Sequence, residues 1–256
     1  MEKNNSFIKY GDSITPKPQG IDYELKAGNV YLLTCDSYSD HLYLKEDPLF
    51  VMPEKYYQSN ADKRFCNKVV NTFKTTEKLT TGVLLSGLKG SGKTLMAKHL
   101  AMMSEAPIIV VDKNVRAGEI ENFFSRITID TCVIFDELDK YWSTSYLLGF
   151  FDGVKPTGKK LVICTCNDED EVSDYLNDRC SRIRYKRNFE CLTIDAVIGL
   201  LADILDEDKA LEVASFISDN ISVVSYDNII VFAEEVKNNP NAPLEEILED
   251  LNIEKK

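Results

Sequence analysis

Gly82-Val83-Leu84-Leu85-Ser86-Gly87-Leu88-Lys89-Gly90-Ser91-Gly92-Lys93-Thr94 is the stretch that decides the fold. GVLLS reads as a buried strand. Gly87 to Thr94 then match the pattern G-x-x-x-x-G-K-[ST], and Lys93–Ser104 continues as a helix. A glycine-rich turn between a strand and a helix can aim successive backbone N–H groups at phosphate oxygens. The helix N-terminus adds its partial positive charge. In that setting Lys93 reaches the β- and γ-phosphates of a nucleotide, and the Thr94 hydroxyl is a ligand for Mg²⁺. The phosphate-binding set is Gly87, Leu88, Lys89, Gly90, Ser91, Gly92, Lys93, Thr94 and Leu95.

Working outward, Thr131-Cys132-Val133-Ile134-Phe135 is an apolar strand that ends in Asp136-Glu137. Asp136 suits Mg²⁺, largely through water. Glu137 suits the orientation or deprotonation of an attacking water. A further strand, Leu161–Cys166, ends in Asn167, whose amide could hold that water from its far side. Short β-rich runs at 82–86, 107–112, 132–135, 161–166 and 183–185 alternate with helix-length stretches, which predicts a parallel sheet covered on both faces. After Phe189 the pattern turns helical: 193–205, 209–220, 227–237 and 244–251 each carry an apolar stripe. Before the alternation, 60–73 reads as a helix, and 29–34 and 41–44 as short strands among turn formers.

The run from Gly82 to about Phe189 resembles the ATPase core of the AAA+ family, on its AAA branch. The resemblance rests on GLKGSGKT, VIFDE, the segment Leu147-Leu148-Gly149-Phe150-Phe151-Asp152-Gly153-Val154, Asn167, and Asp178-Arg179-Cys180-Ser181-Arg182-Ile183. It implies a fold: a P-loop α/β core with a central parallel sheet flanked by helices, followed by a small all-α lid. The expected layout is a β-containing N-terminal extension over 1–58, read from its own short strands and outside the resemblance, then the nucleotide-binding core over 59–189 and the lid over 190–256. ATP and Mg²⁺ are the implied cofactors, and ATP hydrolysis the implied activity. Lys93, Glu137, Asn167, Arg179 and Arg182 are the implied catalytic set, with Thr94 and Asp136 on the metal. Arg179 and Arg182 would reach a neighbouring subunit's ATP, which makes the protein a homo-oligomer, a hexameric ring being one form. Ser225-Tyr226-Asp227 sits where that branch begins a lid helix, without the arginine that other branches carry. The segment Lys113–Glu119 stands where unfoldases of the branch carry a pore aromatic, and it has none.

Charge narrows the partners. With 42 acidic and 30 basic residues the chain carries −12, which on average repels nucleic acid and anionic membranes. Arg179, Arg182, Arg184, Lys186 and Arg187 form a local basic cluster, read as two arginine fingers beside a solvated strand edge or as a nucleic-acid patch. Period 2 places Arg182, Arg184 and Lys186 on one strand face. Three readings of function stay open: an ATPase that remodels a protein partner, a nucleic-acid-handling ATPase such as a helicase loader or recombination enzyme, and a nucleotide-gated assembly subunit. No apolar run approaches the length of a membrane span, and the seven cysteines lack C-x-x-C spacing, so a cytoplasmic protein with free thiols is expected. Tyr56-Tyr57 reads as a core aromatic pair, His99 as a packing residue and Trp142 as structural.

Overall fold

Uninterrupted apolar runs become strands buried on both faces, and these organise the chain. A computed structural model describes residues 7–10, 12–16, 23–36, 41–47, 50–53, 56, 58–152, 158–172, 176 and 182–256. Its strands are β1 (Phe7–Tyr10), β2 (Ser13–Pro16), β3 (Val30–Cys35), β4 (Leu42–Glu46), β5 (Thr80–Gly87), β6 (Ile108–Val111), β7 (Thr131–Phe135), β8 (Lys160–Thr165) and β9 (Ile183–Phe189). They form a 9-stranded sheet in the order β1-β2-β4-β3-β6-β7-β8-β5-β9. The five strands expected from the α/β alternation lie side by side and parallel, and β9 runs on to Phe189 rather than ending at Tyr185.

Alternation along these strands divides the core. Val83, Leu85, Cys132, Ile134, Leu161 and Ile163 face one layer, where α1 (Asn60–Thr75) and α2 (Lys93–Met103) pack. Leu84, Val133, Phe135, Val162 and Cys164 face the other, against α3 (Ala117–Phe124), α4 (Leu138–Tyr141) and α5 (Leu148–Asp152). Phe135 meets Trp142 edge-on at 5.4 Å and Phe150 at 5.8 Å. Trp142 is buried and its Nε1 donates to the Val115 carbonyl at 3.1 Å, the structural role expected of it. Helix α1 starts in a capping box in which Ser59 and Asp62 bond each other's backbone N–H.

The N-terminal residues extend the same sheet instead of folding apart. β3 pairs parallel with β6, and β4, β2 and β1 follow antiparallel. Phe7, Ile14, Tyr31, Leu33 and Leu44 share one hydrophobic cluster with Phe135 and Phe150. Beyond β9 come α6 (Ile194–Ala202), α7 (Glu207–Asn220), α8 (Tyr226–Asn238) and α9 (Leu244–Asp250). They bury a cluster of their own around Val213, Phe232 and Leu248. Among the described residues no helix is long and apolar enough to cross a membrane, and Cys66, Cys132, Cys164 and Cys166 are buried free thiols.

Lys160 opens β8, at the end of the strand opposite the tips that carry the motifs. It is 4% exposed, with Nζ 3.1 Å from the Gly158 carbonyl, and burial pushes its pKa down to about 8. An ammonium disfavoured in the fold costs stability at every pH below the folded pKa. The cost shrinks as pH rises from there towards the unfolded value near 10.5. Lys160→Met is therefore expected to stabilise the protein at pH 7 by up to about 3 kcal/mol, and the gain should fade by about pH 10.5. Urea unfolding of both proteins across that range checks the sign and the window.

Candidate nucleotide-binding and hydrolysis site

The turn after β5 makes an open cradle. Gly90 and Gly92 take φ of 69° and 92°, angles that L side chains rarely adopt. Gly92 is the N-cap of α2, and among the described residues no side chain caps that helix, which leaves its first-turn N–H groups for the cavity they line. A Cβ on Gly92 would meet nothing within 4 Å. The cavity holds about 330 Å³ and is lined by Lys89, Gly90, Ser91, Gly92, Lys93, Thr94, Leu95, Asp136, Glu137, Thr165, Asn167 and Asp227. Lys93 is buried, which lowers its pKa, and its Nζ donates to the carbonyls of Gly87 at 2.7 Å and Leu88 at 2.5 Å. The Ser91 hydroxyl also closes onto the Leu88 carbonyl, at 2.6 Å. Uncapped amides, open space and a cation on a flexible stem fit a polyphosphate.

Strand register brings the remaining groups to this cradle. Phe135 pairs with Cys164, and Leu85 with Thr165, so the ends of β7, β8 and β5 stand abreast. Asp136 Oδ1 accepts from the Thr94 hydroxyl at 3.1 Å and from the Thr165 hydroxyl at 2.6 Å. Thr165 Oγ1 in turn accepts the Glu137 N–H at 2.8 Å. Hard oxygen donors on Thr94 and Asp136 suit Mg²⁺. Among the described residues no cluster of three or more His, Cys, Asp or Glu could hold a metal alone, so water and phosphate oxygens would complete the shell.

Glu137 turns the chain sharply, with φ 54° and ψ 52°, a left-handed conformation that costs a non-glycine residue about 1–2 kcal/mol. Its carboxylate pairs with Lys140 one turn on, and that hydrogen bond is the largest cause of its pKa lying below the ordinary carboxylate value. Asp139 Oδ2 accepts the backbone N–H of Asn167 at 2.9 Å and of Asp168 at 3.3 Å, fixing the tip of β8. Asn167 Nδ2 is buried with no hydrogen-bond partner among the described residues. Asn167 also helps to lower the Glu137 pKa, which puts its amide beside that carboxylate, where a buried donor can serve a water or phosphate oxygen in the cavity.

The basic cluster does not form one surface. Arg182 precedes β9 and is buried, its Nε and Nη2 each 2.6 Å from the Asp152 carboxylate. Period 2 put Arg182 on the strand face of Arg184 and Lys186; it lies just before β9 and braces α5 through Asp152. Lys186 pairs with Glu169 at 2.6 Å, and Arg187 with Asp62 at 2.7 Å. Arg179, Gly153, Val154 and Tyr57 lie outside the described residues. Tyr56 packs against His99 with ring centroids 5.3 Å apart, which makes His99 a packing residue. The Lys113–Glu119 segment carries no aromatic of its own, and Lys113 Nζ lies 5.7 Å from the ring of Tyr141, which is 43% exposed.

Residues 83–188 match the model of the ATPase family associated with various cellular activities (AAA). Over that span the core is similar to an AAA domain. Its fold is that of Thermotoga maritima RuvB, described as a Holliday junction branch migration motor. That structure is 17% identical over 80% of this chain and 74% of its own, with a TM-score of 0.59. Two mutants of the same RuvB superpose equally well, at 15% and 16% identity and TM-scores of 0.60 and 0.61, each covering 80% of this chain and 75% or 74% of its own. No curated protein matches the chain.

Reading by motif missed Thr165, Asp139, Lys140 and Asp227. Thr165 had one available signal, a lone hydroxyl at the end of an apolar strand two residues before Asn167. Because it holds both Asp136 and the Glu137 amide, Thr165→Val should lower ATP turnover at least about tenfold, the scale of one lost positioning bond. Thr165→Ser should retain most of the rate. A steady-state phosphate-release assay on the three proteins makes the comparison, with equal rates as the contrary result.

Proposed function

We propose that this AAA-like core is an Mg²⁺-dependent ATPase that works as an oligomeric ring with shared sites and remodels a protein partner. One observation carries the reading: an uncapped phosphate cradle, the Thr94–Asp136–Thr165 hydrogen-bond chain, Glu137 and the unpaired Asn167 amide all line one cavity. Backbone N–H groups from Gly90 to Leu95 bind the phosphates. Lys93 exchanges its two carbonyl partners for β- and γ-oxygens. A bound Mg²⁺ would offset charge on the γ-phosphoryl group. Glu137 accepts the proton of the attacking water, and Asn167 Nδ2 orients that water from the other side. Arg179 completes a neighbour's site, and Arg182 joins it only where the Asp152 pair opens.

The choice of a protein partner rests on charge. Arg182, Lys186 and Arg187 are each matched to a carboxylate of this chain, which leaves little of the basic cluster for a phosphate backbone. The DNA motor role of RuvB belongs to that protein; a nucleic-acid-handling role here needs cations that these pairs occupy. A nucleotide-gated assembly subunit would not need Glu137.

Two substitutions separate binding from turnover. Lys93→Ala should abolish ATP binding in calorimetry. Glu137→Gln should bind Mg²⁺-ATP while hydrolysis falls by about 10²–10⁴-fold. Activity per chain should climb with protein concentration and be lost in Arg179→Ala at retained affinity. Full activity from a demonstrated monomer contradicts the shared site.

A further inference from the structure

The negative charge of this chain is not spread along it. Residues 190–256 contain 16 acidic and 4 basic residues, whereas residues 1–189 contain 26 of each. The C-terminal helices thus carry the entire −12. They reach the phosphate cradle at the start of α8. The Asp227 N–H donates to the Gly90 carbonyl at 3.1 Å, and Ser225 caps the same helix by accepting from the Asn228 N–H at 3.2 Å. A Cβ on Gly90 would lie 2.9 Å from Asp227 Oδ2 and 3.2 Å from Ser225 Oγ. The Asp227 carboxylate therefore rests on the loop itself and lines the same cavity as Lys93 and Thr94.

We propose that Asp227 sets the preference of this site between nucleoside di- and triphosphates, its carboxylate opposing the extra charge of the triphosphate. The inference rests on the nucleotide reading above. The geometry gives it a direction. A carboxylate that lines a phosphate cavity repels every phosphate group there, and ATP brings one more negative charge than ADP to the end of the cradle that Lys93 serves. Lys89 and Lys93, the cations lining the same cavity, attract the triphosphate more than the diphosphate, so Asp227 works against the bias they set, and removing its charge alone isolates its share. Two like charges several ångströms apart at a half-screened site change an affinity ratio by roughly threefold to tenfold. The surrounding acidic helices add to the effect at low salt, where the screening length is longest.

The test is calorimetric titration with Mg²⁺-ATP and Mg²⁺-ADP, using Glu137→Gln as the parent so that ATP survives. Asp227→Asn keeps the backbone bond to Gly90 and the side-chain size but removes the charge. It should move the ratio of the ADP to the ATP dissociation constant towards ATP by about threefold to tenfold at low salt, and by less at high salt. Asp227→Glu should keep the parent ratio, and Asp227→Ser provides a second uncharged variant should Asn fold poorly. Ser225→Ala disturbs the same helix cap with no change of charge and should leave the ratio alone. A ratio unchanged within twofold in both uncharged variants overturns the proposal, as does an equal shift in Ser225→Ala. A parent that binds neither nucleotide overturns the nucleotide reading itself, a different result from an unaltered ratio.

Discussion

Parallel pairing of β5, β8 and β7 in one register holds three strand tips abreast, and everything at the site depends on it. Each tip alone is chemically ordinary: a glycine turn, a pair of carboxylates, a polar amide. Side by side they bring Thr94, Asp136 and Thr165 within hydrogen-bonding distance and put Glu137 and Asn167 on the same cavity. The register is held by burial on both faces, since a slip of one residue would turn Leu84, Val133 and Phe135 towards the wrong layer. Truncating Phe135 to Ala would cost about 3–5 kcal/mol and loosen the tip that carries Asp136.

The same sheet explains how the outer parts of the chain bear on the site. β3 adds to β6 and brings the N-terminal strands into one core with α3 and α5, so the side of the sheet away from β9 is covered by this chain's own residues. On the opposite side, β9 is tied down by ion pairs: Arg187 to the capping-box Asp62 and Lys186 to Glu169, itself bonded by the Ser86 hydroxyl at 3.2 Å. Those pairs turn a run of cations that looks like a patch into struts between elements. Exposed pairs of this kind contribute little stability each, about 0–1 kcal/mol, but they occupy the charges a phosphate backbone would need.

The parts legible in the sequence were those set by local pattern. The strand before Gly87, the helix after Gly92 and the apolar strand ending in Asp136 are each fixed by neighbours in the chain, and the core strands and the C-terminal helices fall where periodicity put them. What depends on distant residues was not legible. Pairing of β3 with β6 joins segments almost eighty residues apart, with no signal in either. Period 2 was carried one residue too far at Arg182: it precedes the strand, and its pair with Asp152 joins residues thirty apart. Thr165 was hidden as one hydroxyl in an apolar run, and the contact of Asp227 with Gly90 depends on where a whole helical unit docks.

A crystal structure of Glu137→Gln grown with Mg²⁺ and ATP tests the central claim most directly. The account predicts phosphate oxygens bonded by the backbone N–H groups of Gly90 to Leu95, and Lys93 Nζ moved from the Gly87 and Leu88 carbonyls to the β- and γ-phosphates. It also predicts Mg²⁺ about 2.1 Å from Thr94 Oγ1, with Asp136 beside it. A nucleotide bound elsewhere, or a cradle left empty at saturating ATP with Lys93 still on its carbonyls, would contradict it.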